Sequence, residues 1–236
     1  MKKSEALREL QHLQEQVVQC CRCPRLVEYR EAVAKTKRRA YLDWEYWGRP
    51  VPSFGDPAAR VLVIGLAPAA HGANRTGRMF TGDSSGNFLY RVLYRAGFAS
   101  QPTSVSRDDG LRLKDLYITA AIRCCPPANK PLPQEFANCR PYLEKELELL
   151  PNVAVVVTLG KLAHDTYLTI LKSRGAISRR SEYPFRHGAV YKFGQGLPIL
   201  MASYHPSQQN TQTGKLLEPM FLKIFEAAKK AAGARS

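Results

Sequence analysis

The hydrophobic positions along the chain predict strands that alternate with helices. Four short apolar runs rich in β-branched residues occur at 61–66, 116–119, 153–158 and 197–203. Helical patterns separate them, among them 84–96, 133–149 and 159–172. Apolar runs without strict alternation, divided by helices, are typical of a parallel sheet that is covered on both faces. The pattern therefore predicts an α/β fold.

Both ends of the chain carry amphipathic helix patterns. Residues 3–18 place leucine and valine at helical spacing between charges, and a final helix is predicted over 214–231. The chain has 236 residues, of which 44% are hydrophobic, which suffices for one sizeable core. We expect one domain over residues 1–236, with an N-terminal helical extension of about residues 1–55.

In open α/β sheets, ligands bind at the carboxyl ends of the strands. The segment after the first predicted strand, 65–83, reads GLAPAAHGANRTGRMFTGD and contains neither a GxGxxG pattern nor a lysine before Ser or Thr. Its glycines allow backbone to approach a ligand closely, and Phe80 offers a flat apolar face. Asp83 is interpreted either as a helix N-cap, worth about 1 kcal/mol, or as a carboxylate presented to a ligand. The two interpretations are compatible.

Two further strand ends carry candidate polar groups. His205 precedes Pro206, whose fixed φ can aim the imidazole ring, although a lone histidine is often only a satisfied structural residue. After the second strand, the amide of Asn129 could read a base edge or cap a turn. These segments add a possible donor and a possible reader to the predicted site.

The charge balance suggests a polyanionic partner. The chain has 35 Lys and Arg against 20 Asp and Glu, a formal net charge of +15, so nucleic acid is the first candidate and an anionic membrane surface the second. A basic run at 35–39 precedes an aromatic patch, which is equally well interpreted as a solvated face beside a small hydrophobic cluster. No apolar run approaches the roughly 20 residues of a membrane span, and no signal peptide is evident. We expect a cytoplasmic protein that acts as a monomer.

Six cysteines in a reducing compartment are expected to be free thiols or metal ligands. Cys20 and Cys23 form a CxxC pair, and Cys124 or Cys125 can combine with Cys139. Four thiolates can bind zinc or an iron-sulfur cluster, and the spacing does not choose between them. Buried free cysteines and a thioredoxin-like redox pair are the alternatives. A four-cysteine site would attach the N-terminal helix to the domain.

Taken together, three motifs resemble the uracil-DNA glycosylase superfamily. They are residues 65–83 ending in FTGD, the RCCPPANKP segment with its following cysteine, and HPSQQN. The chain is most similar to the family 5, or B-type, enzymes, which carry a 4Fe-4S cluster, and the similarity covers nearly the whole chain. The resemblance implies a three-layer α/β/α fold with a central four-stranded parallel sheet. It also implies that the enzyme excises bases from DNA and so starts base excision repair.

The resemblance implies the cluster ligands, and the chemistry of base excision predicts a role for each of the other candidate residues. The cluster ligands are Cys20, Cys23, Cys124 and Cys139, and Cys21 and Cys125 are bystanders. The catalytic pair is Asp83, which orients a water, and His205, which stabilises the departing base. The expected substrate-binding residues are Phe80 as stacking platform, Asn129 as reader, the loop positions Gly65 and Ala67, and Asn210, which braces its loop. Leu216 or Leu217 could fill the emptied base stack.

Two departures from the wider superfamily change the expected chemistry. Leu66, Ala67 and the residues up to Ala70 are apolar where several branches carry an Asp, Asn or Glu, so the water-activating role moves to Asp83 or, as weaker candidates, to His71 or Asn74. Ala120 stands where a sister family has a uracil-reading Asn. Since unpaired polar groups are what reject a wrong base, we expect hypoxanthine and other deaminated bases to be removed as well. The competing hypothesis is a non-catalytic iron-sulfur or zinc module that binds DNA or senses redox state.

Overall fold

The computed structural model describes residues 3–194 and 196–234. Its sheet has six strands in the order β1-β3-β2-β4-β6-β5. The strands are β1 (Phe54–Gly55), β2 (Val61–Gly65), β3 (Leu116–Ala120), β4 (Val155–Leu159), β5 (Val190–Tyr191) and β6 (Ile199–Ser203). The central strands β3, β2, β4 and β6 are mutually parallel, which confirms the predicted four-stranded core. Two antiparallel edge strands were not predicted, because two residues are too few to show a pattern.

Eight α-helices accompany the sheet in the described residues. They are α1 (Lys3–Val18), α2 (Pro24–Thr36), α3 (Ala73–Thr76), α4 (Ser84–Arg95), α5 (Pro133–Leu149), α6 (Lys161–Ser173), α7 (Gln208–Gln212) and α8 (Glu218–Gly233). Helix α2, which begins at Pro24 directly after the cysteine-rich segment, was not among the predicted helices. Helix α8 begins later than predicted, since the backbone amide of Leu216 donates to the carbonyl of Asn210 and turns the chain before the helix starts.

The four central strands are buried on both faces, as the apolar runs predict. Val63 and its neighbours on the same face pack against α4 and α8. Leu62, Ile64 and Val156 point to the other face, where α1, α5 and α6 cover them. The result is the expected three-layer α/β/α arrangement. No helix among the described residues has the length and apolar composition that a bilayer crossing requires.

A buried polar network connects α1 and α5 with the sheet. Glu146, which is 0% exposed, pairs with the guanidinium of Arg123 at 2.5 Å. The carboxylate also accepts from Gln14 at 2.9 Å, from Ser53 at 2.5 Å and from Thr119 at 2.6 Å. These donors come from α1, from the segment before β1 and from β3, so one carboxylate joins separate parts of the chain.

Candidate active site at the strand ends

A cavity of about 930 Å³ opens at the carboxyl ends of the parallel strands. The segments that follow β2, β3 and β6 line it, as the rule for α/β sheets predicts. The segment after β4 packs against His205. A Cβ added to Gly160 would lie 3.3 Å from the Cβ of that histidine. Tyr29, Arg38 and Tyr41 extend the wall from the N-terminal part of the chain.

Phe80 lies in this cavity with a backbone conformation that non-glycine residues seldom adopt. Its φ is 52°, in the left-handed region. Two glycines accommodate it: a Cβ on Gly65 would lie 2.8 Å from the Phe80 ring, and a Cβ on Gly86 would lie 1.8 Å from its carbonyl oxygen. Gly65 therefore stands behind the ring and does not line the cavity, whereas Ala67 does line it.

Asp83 both caps α4 and lines the cavity. Its Oδ1 accepts from the backbone amide of Gly86 at 2.8 Å, as an N-cap does. Burial raises the pKa of the Asp83 carboxyl, although hydrogen bonds from the Gly86 and Ser85 amides and the charge of Arg75 oppose this effect. The two interpretations of Asp83 are thus compatible in the geometry, since the cap fixes the carboxylate at the cavity wall.

His205 follows β6 after one residue, Tyr204, and faces the same cavity. Its ring centroid lies 5.9 Å from that of Phe80, with the planes inclined by 33°. Burial lowers the pKa of His205 to about 4, so the imidazole is neutral near pH 7. The side-chain amide of Asn210 donates to the carbonyl oxygen of His205 at 2.8 Å. Asn210 is not among the residues that line the cavity, and its contact is with the loop.

Asn129 is exposed at the edge of the cavity, in the turn after β3. Ala128 and Asn129 both have left-handed backbone, with φ of 51° and 55°. Asparagine tolerates this conformation better than most residues. A turn-forming role therefore explains the presence of Asn129 equally well as a base-reading role does. Ala120, at the end of β3, places a methyl group on the cavity wall.

Sequence reasoning missed the contribution of the basic and aromatic segment before β1. Tyr41 lines the cavity, and Tyr41 and Trp44 enclose the guanidinium of Arg75 between their rings. Aromatic residues that follow a basic run were the available signal. Of the weaker candidates for water activation, His71 lines the cavity, and burial and the charges of Arg38 and Arg75 lower its pKa.

Two other candidates lie away from the cavity. Asn74 is 0% exposed, and its side-chain amide donates to the carbonyl oxygen of Arg30, so it does not face the cavity. Leu216 is 1% exposed and packs in the core, which excludes it as a residue that inserts into DNA in this conformation. Leu217 is 51% exposed at the start of α8.

The four cysteines proposed as ligands gather around a second, small cavity of about 20 Å³. Cys20 and Cys23 reach it from the turn between α1 and α2, Cys124 follows β3, and Cys139 lies in α5. Cys21 is exposed and Cys125 is buried, and neither lines this cavity.

N–H groups point at three of the four sulfurs. Arg30 Nη1 donates to Cys124 Sγ at 3.1 Å, the Arg123 amide to Cys139 Sγ at 3.3 Å, and the Asn138 amide group to Cys23 Sγ at 3.5 Å. Burial raises the pKa of Cys124 to about 11 and that of Cys139 to about 12, so the thiolates need a compensating positive charge. In the described residues, no cluster of three or more Cys, His, Asp or Glu has the arrangement that holds a single metal ion.

Comparison with known proteins identifies similar chains. A family model described as the uracil DNA glycosylase superfamily matches residues 52–229. A type-5 uracil-DNA glycosylase of Thermus thermophilus is 53% identical over 219 residues, which cover 92% of this chain and 96% of that protein. One of Pyrobaculum aerophilum is 47% identical and covers 92% of this chain and 91% of its own. A type-4 enzyme of Sulfurisphaera tokodaii is 28% identical, with 78% and 77% covered.

Proposed function

Because the chain belongs to the type-5 branch of the uracil DNA glycosylase superfamily, we propose that it excises uracil from DNA as a monofunctional glycosylase. The observation that carries the proposal is the single cavity that brings Phe80, Asp83 and His205 together at the strand ends. Hydrolysis of the N-glycosidic bond would leave an abasic site and start base excision repair. We propose further that the protein is a monomer and acts inside the cell.

The cavity is suited to a nucleotide that has left the helix. A base within duplex DNA cannot be reached, so it must be extruded, which costs a few kcal/mol and least for a mispaired base. Uracil opposite guanine, the product of cytosine deamination, meets that condition. The ring of Phe80 would stack on the extruded base, a contact worth about 1 to 3 kcal/mol, and Asn129 would bond to its edge.

The neutral imidazole of His205 would stabilise the departing base. Cleavage leaves negative charge on uracil. A hydrogen-bond donor aimed at a uracil carbonyl oxygen lowers the free energy of that charged base. A single donor of this kind lowers the activation barrier by about 3 to 4 kcal/mol in comparable sites. The low pKa of His205 supports this assignment, because a neutral ring can donate from one nitrogen over a wide pH range. Asn210 would keep the ring in place through its bond to the His205 carbonyl.

Asp83 would orient the attacking water and balance the positive charge that develops on the sugar. The bond between C1′ and the base nitrogen breaks, the water oxygen bonds to C1′, and the carboxylate of Asp83 accepts the water proton. The raised pKa of Asp83 supports this role, because general bases work best when their pKa approaches the working pH. Residues 66–70 give the cavity an apolar wall and no carboxylate, so the chemistry falls to Asp83.

We extend the proposal to other deaminated bases such as hypoxanthine. The methyl group of Ala120 makes no hydrogen bond that a wrong base would leave unpaired, so rejection is weak at that position. A panel of duplexes that each contain one damaged base tests this extension. Release of uracil alone would contradict it.

We propose that Cys20, Cys23, Cys124 and Cys139 hold a 4Fe-4S cluster with a structural role. The donor set fits, since four cysteine side chains line one cavity and N–H groups point at three of their sulfurs. Arg30 lines this cavity, and its Nε atom is buried and has no hydrogen-bond partner within the described residues. A bound cluster would supply positive iron for the thiolates and tie α1 and α2 to the rest of the fold.

The cluster predicts a specific loss of colour. The purified protein should be brown with broad visible absorption, and Cys139→Ser should lose both the colour and the bound iron. Cys125→Ser is the matched control, because Cys125 is a buried neighbour that does not line the small cavity. Iron content and the visible spectrum check the prediction. A colourless wild-type protein that contains zinc would overturn it.

The catalytic proposal predicts that Asp83→Asn abolishes uracil release while DNA binding persists. A duplex with one G·U pair is incubated with the enzyme, treated with alkali and resolved on a gel, and affinity is measured by mobility shift. Asp43→Asn, an exposed carboxylate outside the cavity, is the control and should match the wild type. Scission by Asp83→Asn at the wild-type rate would refute the assignment. If the wild type gives no scission, the non-catalytic DNA-binding module is favoured.

A further inference from the structure

We propose that Arg75 is a positioning residue, which fastens both ends of the 71–82 loop and so sets the carboxylate of Asp83 in the cavity. The inference rests on the proposed function, since it assigns the reason why Asp83 is held where it is. Arg75 does not line the cavity, so its action is on the loop and not on the substrate.

The guanidinium of Arg75 bonds to backbone at the two ends of this loop. Its Nε donates to the carbonyl oxygen of His71 at 2.8 Å, and its Nη2 donates to that of Gly82 at 2.7 Å. The side chain is almost fully buried, with 3% of the residue exposed. A planar fork with fixed donors is well suited to hold two carbonyl groups at a set separation.

The two residues that Arg75 anchors, His71 and Gly82, are each followed in the chain by a residue that contacts or carries the Asp83 carboxylate. Gly82 directly precedes Asp83, and Gly72 follows His71. A Cβ on Gly72 would lie 2.0 Å from Asp83 Oδ2, so the carboxylate rests against the Gly72 backbone. Arg75 therefore holds both the residue before Asp83 and the backbone against which its carboxylate lies.

Gly82 is shaped to let Arg75 reach it. Its φ is 83°, which favours glycine, and a Cβ there would lie 2.5 Å from Arg75 Nη2. The positive charge of Arg75 also acts to lower the pKa of Asp83, against the larger effect of burial, which raises it. Both observations connect the guanidinium with the catalytic carboxylate.

Two aromatic rings keep the guanidinium in place. Arg75 Cζ lies 3.9 Å from the ring centroid of Tyr41 and 4.0 Å from that of Trp44. Its Nη1 is buried without a hydrogen-bond partner in the described part of the chain. A buried arginine is ordinarily held by a carboxylate, and here two carbonyl groups and cation–π contacts with two rings, whose planes are inclined by 81°, take that place.

The other buried arginine of the loop has a different function. Arg78 pairs with Asp109 at 2.7 Å and donates to Ser104 and Thr81, so it anchors the middle of the loop to residues 104–109. It does not bond to His71 or Gly82. Of the two arginines, Arg75 is the one that donates to the carbonyl groups of His71 and Gly82. The backbone amide of Gly82 also donates to the carbonyl oxygen of Ser104 at 3.0 Å, so Arg78 supports this end of the loop indirectly through Ser104.

A double-mutant cycle in Arg75 and Asp83 tests the proposal. The readout is the single-turnover rate of uracil release from a G·U duplex, with Kd measured separately. Arg75→Met should reduce the rate by about a hundredfold with little change in Kd, because displacing a catalytic group by about 1 Å has that effect. Asp83→Asn should end turnover and leave only a slow residual rate, which is followed under single-turnover conditions with enzyme in excess over long incubation. In this background Arg75→Met should cause no further loss of that residual rate, since residues that act as one unit are not additive.

Two variants serve as comparisons. Arg75→Lys should give an intermediate rate, because an ammonium can stack between the rings but lacks the fixed fork. Arg107→Met should match the wild type, since Arg107 is an exposed arginine that stacks on Trp47 and its side chain does not bond to the 71–82 loop. If Arg75→Met fails to fold, the same cycle is run with Trp44→Leu, which removes one ring and keeps the guanidinium.

The outcomes separate this inference from the function on which it rests. An equal loss of rate in both backgrounds, or weaker DNA binding with an unchanged rate, overturns the positioning role. Full activity of Asp83→Asn alone refutes the catalytic assignment, and absence of uracil release by the wild type refutes the proposed function.

Discussion

At the scale of single residues, the site depends on close backbone approach around Asp83. Gly86 donates its amide to the carboxylate and has no side chain, which leaves room for the carbonyl oxygen of Phe80. Gly72 leaves room for the other carboxylate oxygen. The FTGDSSG segment is therefore a tight unit in which the cap of α4, the orientation of Phe80 and the placement of the carboxylate are one structural feature.

His205 predicts how stability responds to acid. Its pKa falls from 6.5 to about 4 on folding because of burial, so the unfolded chain binds more protons between those pH values. Stability should therefore decline as pH falls from about 6.5 toward 4, and His205→Gln should remove part of that decline. Free energies of unfolding from denaturant titrations across this range, for both proteins, check the prediction. Identical pH profiles would contradict it.

At the scale of elements, polar contacts decide how the N-terminal helix joins the sheet. The apolar face of α1 packs through Leu10, Leu13 and Val17. Gln14, from the same helix, reaches Glu146 in α5, which also binds Arg123 beyond β3. These polar contacts with Glu146 bring residues that are distant in sequence next to one another. The single-domain organisation over 1–236 stays a prediction.

The buried carboxylate of Glu146 predicts a large loss of stability on substitution. Glu146→Gln leaves the guanidinium of Arg123 buried without its charge partner, which should cost about 3 to 5 kcal/mol of unfolding free energy. Glu148→Gln is the matched control on the same helix, because Glu148 is exposed and its ion pairs with Lys145 and Arg174 should contribute less than about 1 kcal/mol. Chemical denaturation measures both values. Similar losses for the two variants would show that the network does not stabilise the fold.

At the scale of the whole molecule, the net charge of +15 is far above what solubility needs. Part of this charge lies beside the cavity, since the exposed Arg38 lines its wall together with Tyr41. Positive charge at the rim of a cavity raises the local concentration of DNA and speeds encounter.

The charge predicts a steep loss of DNA affinity with salt. If about six phosphates are engaged, Kd should rise by about a thousandfold between about 50 mM and about 200 mM salt. Arg38→Gln should lower the slope by about one unit if Arg38 contacts a phosphate. Fluorescence anisotropy with a uracil-free duplex isolates this electrostatic part of the binding. A response that is flat with salt would contradict the prediction.

Much of this architecture is local enough to be predicted from the chain. The four central strands are fully buried, so their apolar runs are continuous, and helices α4, α5 and α6 were predicted within a few residues. The placement of Asp83, Phe80 and His205 around one cavity also followed from the rule for strand ends. Helix α2 and the two-residue edge strands were missed, because the former starts at an unexpected proline and the latter form only by pairing.

The amino-acid sequence by itself determined the fold class, the family and the segments that line the cavity, because periodicity and motif spacing are properties of neighbouring residues. Only the tertiary structure decided that Arg75 lies between Tyr41 and Trp44, that Gly65 stands behind Phe80, and that Leu216 is buried. Contacts between residues distant in the chain depend on how the layers pack, and no local pattern encodes them.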